Sequence, residues 1–307
     1  MTRTSLEATS AFYGASPGIR LFRLVLGASQ RLWPALAVRA AYRLFGTPLP
    51  PRWMNRRTAW APHWRIERWS FESSGITVYS QFDAPQGPVA LLLHGWGGHA
   101  GQMLALADTL AAQGLQPVLV EMPAHGRSAG SVSNLPQFAR VIEYVAARLQ
   151  QDGRNVGAVV AHSLAANAAA WAMSRGLPAA KLVLLAPPAS PREYTRLFAH
   201  VFGLSEATRA AMQRLVEARE AVLMPQFEPQ AVGPRIHVPT LVVHDRADSI
   251  NRFADGEAFA REIEGATLFA TEGLGHRRIL KDDAVLQAVA SFLAPLGQPV
   301  PAPSDGR

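Results

Sequence analysis

A mostly parallel α/β sheet, doubly wound with helices on both faces, is the fold class the sequence predicts, and three observations predict it. From about residue 64 to residue 295, short apolar runs alternate with segments of helical length and period. The central runs, Val89 to Leu93, Val156 to Ala161 and Lys181 to Leu185, show almost no polar face, as strands buried on both sides require. Polar clusters rich in glycine, histidine, serine and aspartate fall just after such runs, at the strand ends where open parallel sheets gather ligand chemistry.

The elements follow in order. Residues 1 to 60 precede the alternating region. Within them, Ile19 to Trp33 is amphipathic, with Leu21, Val25, Ala28 and Leu32 on one stripe and Phe22 and Leu26 beside it. Ala37, Ala41, Leu44 and Phe45 form a second stripe, and a proline- and arginine-rich linker follows. Residues 61 to 190 read as the first part of the α/β core. It holds strands near Arg65 to Phe71 and Thr77 to Phe82, then Val89 to Leu93, with a helix from Gln102 to Ala112. A strand at Val118 to Val120 and a helix from Leu135 to Leu149 lead to the stretch NVGAVVAHSLAANAAAWA. Residues 191 to 237 break the alternation and read as helices only, with Ser205 an N-cap. Residues 238 to 295 resume it: strand Thr240 to Val243, helix Ala254 to Ile263, strand Thr267 to Phe269 and helix Ala284 to Leu293. A proline-rich tail, 296 to 307, is expected to be disordered.

Composition narrows the chemistry. The chain has 307 residues, enough for one α/β domain with an insertion. It has no cysteine, which removes disulfides and thiolate metal sites and fits a reducing compartment. Of the net charge of +7, residues 1 to 69 carry eleven arginines against Glu7 and Glu67, so that segment is +9 and the remainder −2. The basic character therefore belongs to the N-terminal extension and says nothing of the substrate. The arginines match no nucleic-acid-binding module, and nucleic acid is not an expected partner. A basic amphipathic helix pair over residues 18–46 can lie on an anionic membrane surface, and can equally pack within the protein or a dimer, the simpler reading. No secretory signal is evident, and the expected location is the cytoplasm, with peripheral contact at the inner membrane surface as the variant the extension admits.

The stretch around Ser163 organises the rest. A strand that runs straight into a helix forces the corner residue into a strained backbone conformation and lifts its side chain clear. In the pentapeptide AHSLA, Ala161 and Ala165 stand where G-x-S-x-G elbows carry glycine; read alone, it fits a helix N-cap better than a nucleophile. The remaining motifs decide. HGWGG at 94 to 98, P-x-H-G-R-S at 123 to 128, HDRADSI at 244 to 250 and GLGH at 273 to 276 all follow strands. With these in place the chain resembles the α/β-hydrolase family over about residues 64 to 295, in the order Ser163, Asp248, His276.

The resemblance implies a Ser-His-Asp hydrolase with Ser163 as nucleophile, His276 as its base and Asp248 as the acid, Asp245 being the runner-up. It implies an oxyanion hole from the backbone N–H groups of Trp96 and Leu164, with His94, His125 and His162 as scaffold. The 191 to 237 insertion takes the position of the family's cap, and Trp96, Phe198, Phe202 and Met212 are expected to line an acyl pocket beneath it. No cofactor and no metal are called for. The expected substrate is a small carboxylic ester or other acyl compound. Thioesters, lactones, amides and peptide N-termini stay open, with perhydrolase and carbon–carbon hydrolase chemistry behind them, and a non-catalytic membrane-associated scaffold is the reading from another class.

Overall fold

The computed structural model describes residues 17–49, 59–83 and 86–297. Most of the linker and the proline-rich tail lie outside the described residues. The heart of the molecule is an eight-stranded sheet in the order β1-β2-β4-β3-β5-β6-β7-β8. β1 (Trp64–Phe71) and β2 (Ser74–Gln81) form an antiparallel hairpin whose second strand pairs antiparallel with β4 (Gln116–Glu121). From β4 onward, through β3 (Val89–Leu93), β5 (Val156–His162), β6 (Lys181–Leu185), β7 (Thr240–Asp245) and β8 (Thr267–Thr271), every pairing is parallel. The strands run slightly longer than the apolar runs suggest, because their last residues, Glu121, His162 and Asp245, are polar yet buried.

Two apolar layers enclose the sheet. On one face α4 (Leu135–Gln151), α5 (Leu164–Ser174) and α9 (Phe253–Glu262) bury Phe138, Ile142, Ala168 and Phe259. On the other, α3 (Leu104–Ala112) and the last described helix, α10 (Asp283–Gly297), bury Leu106, Leu110, Val289 and Leu293. α5 is almost wholly alanine on its buried side, and small side chains let it lie close against the strands. α4 begins at a true cap: the Asn134 side chain accepts the Gln137 N–H at 2.7 Å.

The segment between β6 and β7 is helical throughout, with α6 (Pro191–Phe202), α7 (Glu206–Glu220), the one-turn α8 (Pro229–Val232) and flanking 3₁₀ turns. Ser205 caps α7 through the Thr208 N–H. Onto these helices docks a hairpin made of α1 (Pro17–Leu32) and α2 (Pro34–Phe45), which breaks at Trp33 because Pro34 cannot continue a helix through its missing N–H. Leu26 and Ala41 are buried there with Phe198, Phe202 and Met212. Where its side chains are described, the α1 stripe faces outward: Val25 is 58% exposed and Leu32 64%, and among the described side chains of that set Leu26 is the buried one. Of the remaining expected residues, the side chains of Leu21 and Phe22 lie outside the described ones. α2 does use its stripe, burying Ala37 and Ala41.

Candidate active site

β5 ends at His162 and α5 begins at Leu164, so Ser163 is the whole connection, with φ 56 and ψ −126. A non-glycine residue at positive φ is strained, and this strain holds the side chain off the strand end. The N-cap reading fails here, because the Ser163 side chain makes no capping bond. Its hydroxyl instead donates to His276 Nε2 at 3.0 Å, and His276 Nδ1 donates to Asp248 Oδ2 at 2.8 Å. The three residues that sequence order singled out thus meet, although 113 positions separate the serine from the histidine.

Each partner is held from outside. Asp248 is fully buried as a side chain, and its Oδ1 accepts the N–H groups of Ile250 and Asn251 at 2.7 and 3.0 Å. Burial alone would raise its pKa; the bonds from His244 and His276 and the charge of His276 outweigh it and hold the carboxyl well below the usual range. Asp245, the runner-up acid, faces elsewhere. It accepts from Ala247 N, Thr271 Oγ1, Leu274 N and Gly275 N, between 2.7 and 2.9 Å, and so ties down the loop that presents His276. These bonds overcome its burial and keep it ionised.

The HGWGG turn lies directly against the serine. A Cβ at Gly95 would stand 2.7 Å from Ser163 Cβ and 3.1 Å from the His162 carbonyl oxygen, so only glycine fits. Leu164 is the first residue of α5, where a backbone N–H has no helical acceptor, and Trp96 follows Gly95 in the turn. The three histidines nearby are braces. His94 Nδ1 donates to Gly95 O at 2.8 Å while Nε2 accepts from Met122 N at 3.1 Å. His125 Nε2 accepts the Gly97 N–H at 3.0 Å. His162 Nε2 donates to the His276 carbonyl at 2.9 Å. Burial pushes His94 down to about 4 and His125 to about 3, so both are neutral at pH 7.

Glu121 is a residue the sequence reading missed. It is buried at the end of β4, where Oε1 accepts from Ala100 N at 3.1 Å and Oε2 from the Tyr79 hydroxyl at 2.5 Å and Arg127 N at 2.8 Å. It thereby joins the loop after the HGWGG turn to the HGRS loop. The available signal was a lone acid closing an otherwise apolar strand.

A cleft of about 900 Å³, mouth included, opens over Ser163. Trp96 lines it as expected, but Phe198, Phe202 and Met212 do not. They lie on the far side of α6 and α7, under the α1–α2 hairpin, because that hairpin offers the apolar surface that covers them. The lining comes instead from Leu164, Pro191, Tyr194, Leu197, Val216, Val222, Met224 and Phe227, and from Phe45 of α2. Tyr194 bonds Asn251, whose own N–H is held by Asp248, so α6 is pinned to the loop that carries Asp248. Tyr194, Asn251 and Phe45 were also missed; nothing local in the sequence marks them. Among the described residues no cluster of three or more histidine or acidic side chains could hold a metal ion.

This arrangement, a strained serine bonded to an imidazole that is bonded to a buried carboxylate at the C-terminal edge of a parallel sheet, is that of an α/β-hydrolase. Residues 84–224 match the family model described as serine aminopeptidase, S33, and residues 216–303 match that of the TAP-like proteins. The chain belongs to the α/β-hydrolase family. No curated protein matches it in sequence. Among solved structures it is similar to an esterase of Pyrococcus furiosus, at 16% identity and a TM-score of 0.61, over 82% of this chain and 98% of the other. Ferulic-acid-bound Est1E of Butyrivibrio proteoclasticus aligns at 17% identity and a TM-score of 0.58, over 75% and 96%. A bacterial membrane phospholipase A aligns at 16% identity and a TM-score of 0.55, over 92% of this chain and 98% of that one.

Proposed function

We propose that the protein is a serine hydrolase of carboxylic esters that works through an acyl-Ser163 intermediate. The observation that carries the reading is the unbroken relay from Ser163 through His276 to Asp248 on the floor of an apolar cleft. Ser163 Oγ attacks the ester carbonyl while its proton passes to His276 Nε2. Asp248 holds the Nδ1–H tautomer and stabilises the imidazolium. The N–H groups of Trp96 and Leu164 receive the oxyanion, and His276 then returns the proton to the departing alcohol. Water, activated by the same imidazole, releases the acid. The cleft takes the acyl or alkyl group. The family model described as serine aminopeptidase favours a second reading, hydrolysis at peptide N-termini. A free α-amino group calls for a carboxylate to receive it, and the described residues lining the cleft include none, which supports the ester. A cytoplasmic location and peripheral contact with a membrane through residues 18–46 belong to the same proposal; among the described residues no helix is long and apolar enough to cross a membrane.

Fluorophosphonate labelling, paired with a panel of p-nitrophenyl esters of rising acyl length, tests the reading. Wild type should label and turn over, and Ser163→Ala should do neither. Equal labelling of the two proteins, or no turnover of any ester by wild type, would defeat it.

A further inference from the structure

The α1–α2 hairpin has two faces with different tasks. Its inner face is fastened at three places, two on α6 and the turn after it and one on the loop before α4. Gln30 reaches across to the turn between α6 and α7, donating to Gly203 O at 3.1 Å and accepting from Ser205 N at 2.6 Å. Phe45 packs edge-on against Phe198, with ring centroids 5.2 Å apart. Gly46 O accepts the Ser133 N–H at 2.7 Å, and Ser133 lines the cleft together with Phe45. The hairpin is therefore part of the cleft wall.

Its outer face is apolar, and among the described residues none covers it. Leu24 is 72% exposed and Trp33 61%, and Val25, Leu32 and Leu36 are each more than half exposed. Leu24, Ala28 and Leu32 repeat every four residues along α1, while Trp33 and Leu36 continue the patch around the bend into α2. Such a patch is unusual on a soluble surface and marks a site of contact. Arginine surrounds it: Arg23, Arg31, Arg39 and Arg43 are all exposed. Arg23 and Arg31 also border an open groove with Gln30, His200 and Ser205, a cationic recess beside the apolar face. Apolar side chains with an interfacial tryptophan, flanked by arginines, are complementary to the headgroup region of an anionic bilayer. α1 is about 24 Å long from its 16 residues, and it carries arginines along its length, so it suits lying on a bilayer rather than crossing it.

We propose that the hairpin docks the enzyme on an anionic lipid surface and, through Phe45 and Ser133, joins that surface to the acyl cleft, so that esters dissolved in the membrane are the preferred substrates. The docking half stands on the hairpin alone; the coupling half rests on the ester-hydrolase reading. The full chain is sedimented with phosphatidylcholine vesicles with and without phosphatidylglycerol, at low and high salt. Wild type should bind only the anionic vesicles, and less at high salt. The triple variant Leu24→Ser, Trp33→Ser, Leu36→Ser should bind at least about tenfold more weakly through lost apolar contact. Arg31→Glu with Arg39→Glu should lose the preference for anionic lipid. These residues lie away from the cleft, so hydrolysis of a short soluble p-nitrophenyl ester should stay unchanged in both variants while turnover of a vesicle-dispersed ester falls with binding. Wild type that ignores anionic vesicles, or variants that bind as wild type does, would overturn the docking. Loss of dimers in the triple variant, without vesicle binding by wild type, would assign the face to a second copy instead. Vesicle binding without any ester turnover would leave docking standing and remove the coupling.

Discussion

Replacing Asp248 by asparagine tests the relay at its most constrained point. Asp248 Oδ1 is occupied by two backbone donors, the N–H groups of Ile250 and Asn251. An asparagine must keep its carbonyl oxygen there, because turning the amide over would set NH₂ against both donors. Its NH₂ then faces His276 Nδ1 in place of Oδ2, the acceptor that now lies 2.8 Å away. Two donors cannot share that contact, so His276 moves its proton to Nε2 and presents N–H, rather than a lone pair, to Ser163. The serine keeps its position and loses its base. The expected cost is about 10³- to 10⁴-fold in kcat, roughly 4 to 5 kcal/mol of barrier, with KM little changed. Asp245→Asn is the control. Each of its oxygens accepts from two donors, so the amide sets NH₂ against two of them; on the Oδ2 side the Thr271 hydroxyl can turn to accept, which leaves the Leu274 N–H unpaired at a cost of about 1 to 3 kcal/mol of stability. Its loss of turnover should be far smaller, since Asp248 still orients the histidine. Initial rates on a short p-nitrophenyl ester, with urea unfolding alongside, separate the two. A fall of less than about tenfold for Asp248→Asn in a folded protein, or a larger fall for Asp245→Asn, would refute the reasoning.

Two further outcomes follow from the same geometry. Gly95→Ala introduces a methyl 2.7 Å from Ser163 Cβ and 3.1 Å from the His162 carbonyl, both fixed by the strained corner, so the turn that carries Trp96 must move. Turnover should drop by about a hundredfold or more, and a variant retaining most of its kcat would show that the turn is not placed against the reacting group. The second outcome concerns pH. His94 and His125 have their folded pKa values lowered from 6.5 to about 4 and about 3, so below 6.5 the unfolded chain takes up protons that the folded one refuses. Stability is therefore complete above about pH 6.5 and declines as pH falls toward 4 and then 3, by up to about 1.4 kcal/mol per pH unit for each proton. Urea midpoints measured from neutral pH downward should fall through that window; a flat midpoint would mean that these imidazoles are protonated in the fold.

Much of the candidate site was legible because the residues that meet in it lie at strand ends. AHSLA, HDRADSI and GLGH each follow a β-strand, and a parallel sheet brings such ends to one edge whatever their separation in sequence. What faces the cleft was not legible, because a helical stripe shows that a face is buried without showing what buries it. Met212 and Val216 share one stripe of α7, yet Met212 lies under the hairpin and Val216 lines the cleft. Phe198 and Tyr194 divide α6 in the same way. The hairpin decides both divisions, and its own orientation was hidden for a related reason. On α1 the wider apolar stripe lies outward while Leu26 and Gln30 make the contact, one by burial and one by two hydrogen bonds. A moment computed on hydrophobicity cannot see a glutamine that pairs with a turn. Glu121 escaped for the opposite reason: its partners are backbone N–H groups and one phenol, brought to it by three separate loops and strands.

The alanines at 161 and 165, where elbows of this kind carry glycine, are explained by where the crowding falls. Ala161 sits within β5, paired with Leu93 on one side and Leu184 on the other, and its methyl is fully buried among apolar neighbours. Ala165 is the second residue of a helix whose buried face is alanine at five further positions, 166, 168, 169, 170 and 172, so the helix already lies at the distance one methyl allows. A close approach to the serine is made from the end of the neighbouring strand β3, by Gly95 on the HGWGG turn, where a Cβ would stand 2.7 Å from Ser163 Cβ. A methyl on the elbow's own flanks is thus absorbed by apolar core packing that is mostly alanine along the helix, while a methyl on the facing turn would strike Ser163. Glycine is required by the second contact and not by the first, which is why AHSLA can hold Ser163 at positive φ with its hydroxyl 3.0 Å from His276.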